Sequence, residues 1–359
     1  MSRIYNFNAG PATLPLEVLE TAQAELVDYA NTGMSILEAS HRGKAYDAVH
    51  EEAISNIREL LGISEDYAVL LLQGGASMQF SMVPMNLLSP GKTADYTNSG
   101  SWASKAIEEA VKVGNIHIAA NCGNEIPTRV PNAEELALTP GASYLHITSN
   151  ETISGAQWKA FPEVDRPLVA DMSSDILSRD FDMSKFGLIY AGAQKNLGPS
   201  GLTLVIVRKD LVEAAPKNLP TMLRYTTHIE TNSLYNTPPC FSIYILALVT
   251  RWIKKMGKAT LYKQNVDKAA QLYTAIDNSG GWYKGTAVHT CRSDMNVTFR
   301  LPTEKLESAF VAEATKAGFN GLKGHRSVGG IRASIYNAFP TQGVTDLVAF
   351  MNDFQRTNG

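Results

Sequence analysis

The sequence predicts an α/β protein: a mostly parallel sheet with helices on both faces in a large domain, followed by a smaller α+β domain. Three observations predict it. Apolar, strand-like runs alternate with amphipathic ones over the first two thirds of the chain. Several of those runs end in glycine, aspartate or lysine, as strands do where they open onto a binding edge. Beyond Gly280–Gly281 the order changes to strand, helix, strand, helix with shorter spacing.

In chain order, "LEVLETAQAELVDY" has helical spacing, with Leu16, Leu19, Ala22 and Leu26 on one side as the expected core face. "YDAVHEEAISNIRELLGI" is a second helix, with Gly62 as its stop. "YAVLLLQGGAS" reads as a buried strand running into a glycine turn, and "MQFSMVPMNLL" as a helix with a kink near Pro84. "KTADYTNSGSW" leads into the helix "ASKAIEEAVKVG". "NIHIAANC", "SYLHITSNETISG", "PLVADMSSD", "FGLIYAGAQKN" and "GLTLVIVRKDL" read as further strands. "FSIYILALVTRWIKKMG" is a long helix with its cations at the end that the helix dipole favours, and "ATLYKQNVDKAAQLYTAID" follows it. "DMNVTFRL", "EKLESAFVAEATKAG", "GIRASIYNA" and "GVTDLVAFMNDFQ" build the tail. The expected division is 1–258 for the large domain and 259–359 for the small one, with the first fifteen or so residues packing against the latter.

Composition narrows the function. Hydrophobic residues make up 44% and charged residues 19% of 359, ordinary for a globular enzyme. A net charge of -3 argues against nucleic acid or an anionic membrane as partner. Cys122, Cys240 and Cys291 lie far apart, with no disulfide framework and no metal signature, which fits a reducing cytoplasm. The beginning of the chain lacks a signal-peptide core, and no apolar run reaches the roughly 20 residues of a membrane helix.

The chemistry-bearing candidates sit at strand ends. Lys195 stands between an apolar run and a glycine-rich turn in "YAGAQKNLGPSG". In a partly dry site its pKa would fall, and a neutral amine forms a Schiff base with an aldehyde. A surface lysine after a strand explains the same pattern. Asp171 ends "RPLVAD", 24 residues earlier, a separation that suits one βαβ-like unit opening both side chains onto one pocket. A buried carboxylate needs a cationic partner, and a protonated pyridine nitrogen would supply one; a turn aspartate is the alternative. "QGGAS", with Ala76 and Ser77, follows a strand and opens a helix, so its N–H groups can hold a phosphate, although an ordinary tight turn reads the same. Trp102 can stack on an aromatic ring or simply cover core. Thr152 can donate to a phenolic oxygen or cap a turn. His41 and Arg42 in "SHRGK", with His325, Arg326 and Arg332 in "KGHRSVGGIRAS", suggest anion recognition in a net acidic chain; solvated loop charges would look alike.

Taken together, "NFNAGPATLP", "SHRGKAY", "NETISG", "ADMSSDILSR", "YAGAQKNLGPSGLT", "NTPP" and "KGHRSVGGIRASIYNA" resemble the phosphoserine aminotransferases, pyridoxal-phosphate enzymes of the class-V aminotransferase family with the aspartate-aminotransferase-like fold. The resemblance spans nearly the whole chain. It implies pyridoxal 5'-phosphate as cofactor, with Lys195 as Schiff-base lysine and Asp171 opposite the pyridine nitrogen. Trp102 would stack on the ring and Thr152 contact its phenolic oxygen. Ala76, Ser77 and Gln194 would hold the phosphate, together with Asn236 and Thr237 of a second subunit, which implies a homodimer with interfacial sites. His41, Arg42, His325, Arg326 and Arg332 would bind the substrates, L-glutamate and 3-phosphohydroxypyruvate. The family also suggests 4-phosphohydroxy-L-threonine, of vitamin B6 biosynthesis, as a further substrate. Ser77 departs from relatives that carry an arginine there, so another cation must replace it or the substrate phosphate is held less tightly. Rival readings are a serine–pyruvate or alanine–glyoxylate type aminotransferase for unphosphorylated acids, a cofactor-free Schiff-base aldolase, and a non-catalytic binding protein on the same scaffold.

Overall fold

A computed structural model describes residues 3–213 and 215–359. The first half runs β1 (Tyr5–Asn6), α1 (Leu16–Ala24), α2 (Lys44–Leu61), β2 (Tyr67–Leu72), α3 (Gly75–Leu87), β3 (Thr93–Asn98), α4 (Ser101–Ala110), β4 (Asn115–Asn121), β5 (Leu145–Thr148), β6 (Asn150–Glu151), β7 (Ala156–Gln157) and β8 (Leu168–Asp171). The second half runs β9 (Phe186–Gly192), β10 (Thr203–Arg208), α5 (Lys209–Glu213), α6 (Tyr225–Glu230), α7 (Cys240–Met256), α8 (Lys258–Asp277), β11 (Lys284–Gly285), β12 (Asn296–Arg300), α9 (Glu304–Lys316), β13 (Phe319–Asn320), β14 (Ile331–Ser334) and α10 (Thr341–Asn358).

Seven strands form the main sheet in the order β2-β10-β9-β8-β5-β3-β4. All neighbours pair parallel except β10, which runs antiparallel to both β2 and β9. Strands β2, β8, β9 and β10 are largely apolar because both faces of the sheet are covered there, whereas the edge strand β4 is mostly exposed or half-buried. Alternation assigns each residue a face: Val69, Leu71, Ala170, Ile189 and Ile206 join one core with α2 and α7. Leu70, Leu72, Val169, Leu188, Tyr190 and Val205 join another with α3 and α4. Each fully buried Val, Leu or Ile stabilises the fold by about 1.5–3 kcal/mol over exposure, so the sheet is the rigid body that aims its strand ends. Asp171 lies two residues after Val169. Its side chain therefore projects to the α3/α4 face, where Trp102 also sits.

The tail has its own sheet, β11-β12-β14, and a third core that includes Val297, Phe299, Phe310, Leu347 and Phe354. Phe7 joins that core, and β1 pairs parallel with β13 at Tyr5↔Phe319. No linker separates the two parts. α8 gives Leu261 and Tyr262 to the first core and Ala269, Leu272 and Ile276 to the third.

Two local expectations need correcting. α1 ends at Ala24 and buries Val18 and Ala22, whereas Leu16 and Leu19, with Leu26 beyond the helix, are exposed. The connection from β8 to β9 contains no α-helix, only a 3-10 turn at Met183–Lys185, and the two strands are immediate neighbours. α3 runs on through Pro84 to Leu87 as one element. The α2 stop is as expected: Gly62 is left-handed at φ 62, and the Ile63 N–H reaches the Arg58 carbonyl at 2.9 Å. Among the described residues, no helix is long and apolar enough to cross a membrane.

Candidate active site

The carboxyl ends of β2, β3, β5, β8 and β9 open onto one small cavity. Its floor and walls come from Gly75, Ala76 and Ser77 at the start of α3, Trp102 in α4, and Thr148, Asn150 and Thr152 around β6. Asp171, Ser173 and Ser174 follow β8, and Gln194 and Lys195 follow β9. Ligands of open α/β sheets bind in this place, in the crevice outside the carboxyl ends of the strands.

Lys195 is presented by a tight turn in which the Leu197 and Gly198 N–H groups both return to the Ala193 carbonyl, at 3.1 and 2.8 Å. The N-terminal segment crosses over it. The Ala12 N–H bonds the Gln194 carbonyl at 2.9 Å. Gly10 has φ +144, and a Cβ there would sit 3.2 Å from Gln194 Cγ, so glycine suits this crossing. The Lys195 amine donates to Thr152 Oγ1 at 2.6 Å and lies 5.7 Å from the Trp102 ring centroid. Burial lowers its pKa to about 8, against the pull of Asp171 and with help from the Arg332 charge. On the order of a tenth of the amine is therefore uncharged at pH 7, and about half at pH 8, far more than for an ordinary lysine, and the neutral amine is the state a nucleophile and base requires.

Asp171 is 5% exposed and accepts the Ser173 N–H at 2.9 Å. Burial raises its pKa, opposed by Lys195 and by Ser173. Arg332 reaches in from β14, its Nη1 donating to the Thr152 carbonyl at 3.4 Å. Four buried polar atoms around this enclosure have no hydrogen-bond partner among the described residues: Trp102 Nε1, Thr148 Oγ1, Asn150 Oδ1 and Arg332 Nε. Orphaned buried donors and acceptors are costly and mark places where a ligand completes the network. α3 begins with left-handed Gly74 and no side-chain cap, leaving its first N–H groups free for an anion. A flat indole, an enclosed carboxylate, an amine beside a hydroxyl, and an open helix N-terminus fit a phosphorylated, cationic aromatic aldehyde. These residues suit pyridoxal phosphate.

The expected substrate residues are distributed differently. His41 is half-buried and Arg42 exposed, just before α2, and neither lines this cavity. Asn236 and Thr237 lie on an exposed loop whose Thr237 carbonyl accepts from Gln73 Nε2 at 3.4 Å, also outside the cavity of the same chain. His325 bonds Ser327 Oγ through Nδ1 at 2.7 Å, and its pKa is lowered by burial and then by Arg332, Arg326 and Lys105. Arg326 is exposed and borders a separate groove with Arg300 and Glu307.

Three participants were not singled out from the sequence. Lys105 lies 4.4 Å over the Trp102 ring and makes no ion pair among the described residues. Its place three residues after Trp102 on a helix was the available signal. Asn150 is fixed through Nδ2 to Ser174 Oγ and Asn296 Oδ1, both at 2.8 Å. Glu151 is fully buried and accepts from the N–H groups of Trp102 and Ala103.

A family model described as aminotransferase class-V matches residues 4–347. The chain is 58% identical over 359 residues to a phosphoserine aminotransferase of Niallia circulans, covering 99% of each. It superposes on the solved phosphoserine aminotransferase from Bacillus circulans subsp. alkalophilus with a TM-score of 0.96 at 57% identity, covering 99% of both chains. A solved phosphoserine aminotransferase from Trichomonas vaginalis, described as bound to PLP, superposes with a TM-score of 0.93 at 39% identity, over 98% of this chain and 100% of that one.

Proposed function

The chain belongs to the class-V aminotransferase family, and we propose that its Lys195 cavity carries out amino transfer with pyridoxal phosphate. It moves the amino group of L-glutamate to 3-phosphohydroxypyruvate, giving 2-oxoglutarate and O-phospho-L-serine, a step of serine biosynthesis. One observation carries the assignment of residues: the Lys195 amine is bonded to Thr152 inside the same enclosure as Asp171 and Trp102.

When bound, pyridoxal phosphate supplies an aldehyde carbon to hold the amino group and an electron-withdrawing ring to take up carbanion charge. The protein's own groups do the rest. Thr152 holds the Lys195 amine in place, and the neutral amine removes the substrate α-proton and later returns it. Asp171 would keep the ring nitrogen protonated, and so hold the ring in the form that can take up the negative charge of a carbanion. Trp102 covers one face and excludes water. Ala76, Ser77 and Gln194 hold the cofactor phosphate with the α3 dipole. Arg332, whose Nε is open, binds the carboxylate common to all four substrates and products. His41, Arg42, His325 and Arg326 bind the other anionic end, a γ-carboxylate in one half-reaction and a phosphate in the other. Lys105 brings a further cation to that side.

The active unit is a homodimer in which Asn236 and Thr237 of a second copy complete the phosphate site. Exposed apolar side chains support this: Val27 is 82%, Leu37 59%, Leu16 51% and Met34 45% exposed, with Met78 beside Ser77 and Tyr235 beside Asn236 also exposed. We divide the chain into 1–258 and 259–359, with the first fifteen or so residues attached to the small domain through β1 and Phe7. The three free cysteines suit a cytoplasmic protein.

The test is optical. O-phospho-L-serine added to the yellow holoenzyme should bleach its visible band, and 2-oxoglutarate should restore it. A band that responds to L-alanine or L-serine but not to O-phospho-L-serine would instead assign the site to unphosphorylated acids.

A further inference from the structure

We propose that Glu151 is a positioning residue that locks the Trp102 indole and the Thr152 hydroxyl into one rigid cofactor wall; this rests on the cofactor assignment above. Glu151 is fully buried at the end of β6, and its two oxygens divide between two donors. Oε2 accepts the Trp102 N–H at 3.1 Å and Oε1 accepts the Ala103 N–H at 2.9 Å. These are the donors that an N-cap side chain ordinarily satisfies. α4 has none to offer, because its N-cap is Gly100. The helix is instead capped from a strand 49 residues away in sequence.

Gly100 and Glu151 are a matched pair. A Cβ at Gly100 would stand 2.7 Å from Glu151 Cδ, so the side chain missing at one position is the space that the carboxylate fills. The next residue, Thr152, receives the Lys195 amine at 2.6 Å, and the preceding Asn150 is pinned to Ser174 and Asn296. One carboxylate thus ties the helix carrying the indole to the strand carrying the hydroxyl. Burial raises its pKa to about 7, with the two N–H donors pulling the other way. Burying a carboxyl is costly, and a glutamine would fill the space at lower cost. Only a carboxylate presents an acceptor to both N–H groups at once.

The experiment compares parent, Glu151→Ala, Glu151→Gln and Gly100→Ala apoproteins loaded with pyridoxal phosphate. It reads cofactor affinity, visible circular dichroism of the bound chromophore, quenching of Trp102 fluorescence against a Trp102→Phe control, and the melting temperature of the apoprotein. Losing the cap should weaken cofactor binding by about tenfold in Glu151→Ala, with weaker dichroism and less quenching. Glu151→Gln should fall between. Gly100→Ala keeps the charge but displaces it, and should shift the same three readouts in the same direction. In steady-state assays kcat should fall more than KM rises. If Glu151→Ala does not fold, Glu151→Gln and Gly100→Ala carry the comparison. Parent-like affinity, dichroism and quenching in the folded variants would overturn the proposal, even if they melt earlier. A parent chain that does not bind pyridoxal phosphate would overturn the cofactor assignment and this inference with it.

Discussion

Lys195, Asp171, Thr152 and Trp102 converge within one chain, whereas Arg42, Asn236 and Thr237 stand outside that enclosure on exposed segments. The first group is mounted on strand ends and a helix N-terminus of a sheet buried on both faces. The second sits on loops, with the exposed Leu37 shortly before Arg42 in the chain and the exposed Tyr235 next to Asn236. In the function we propose, one chain builds the part of the site that manages a proton and an aromatic ring, and a second copy would finish the part that recognises anions. Rigid strand ends suit reacting groups that tolerate little displacement, and loops at an interface suit a pocket that must take both a carboxylate and a phosphate.

Substitutions sharpen this contrast in order of expected effect. Lys195→Ala removes the only proton carrier proposed and should lower turnover on the order of 10⁴-fold or more, read as single-turnover amino transfer. Turnover at the parent rate would dismiss the assignment. Asp171→Asn keeps the shape and removes the charge. It should lower kcat on the order of 10²–10³-fold with a smaller loss of cofactor affinity, since a ring nitrogen that is no longer held protonated takes up carbanion charge less well, and that matters most in the transition state. An equal loss in both would make Asp171 a binding group only. Arg332→Leu should raise KM for amino donor and keto acceptor alike, by about 10–100-fold, the loss of a charged hydrogen bond. A change for one substrate alone would mean that the two do not share that anchor. The smallest effect is pH dependence. Lys195 is held at about 8 rather than at 10.5, so capture of pyridoxal phosphate by the apoprotein should rise with pH and level off above about 8. Below that value the amine is protonated and has no lone pair to offer. A rise continuing toward 10.5 would show that burial does not lower this lysine.

The same contrast explains what the sequence made legible. The main sheet could be read because "YAVLLL", "PLVAD" and "FGLIYAG" are apolar on both faces, a pattern that survives without tertiary information. Lys195 and Asp171 stood out as charges ending such runs. α1 misled because Leu16, Leu19 and Leu26 carry a genuine apolar face that turns away from the core of its own chain. In the dimer we propose, that face has somewhere to go; periodicity reports burial in the assembly, not in the monomer. Glu151 escaped notice because its partners, the N–H groups of Trp102 and Ala103, are backbone atoms 48–49 residues away, which no residue-type pattern encodes. Between β8 and β9 the βαβ expectation supplies a helix, whereas this chain joins the two strands by short turns.

The most direct test of a site shared between copies is complementation. In the dimer we propose, Lys195→Ala chains lack the base, and Thr237→Asp chains would place a carboxylate against the cofactor phosphate of the neighbouring site. Each homodimer should be inactive. Mixed by unfolding and refolding together, they form heterodimers in which one site has both Lys195 and Thr237 intact, so activity should return to about a quarter of the parent's per chain, following from twofold symmetry. No recovery in demonstrably mixed dimers would place Thr237 in the same site as its own Lys195 and contradict the shared site.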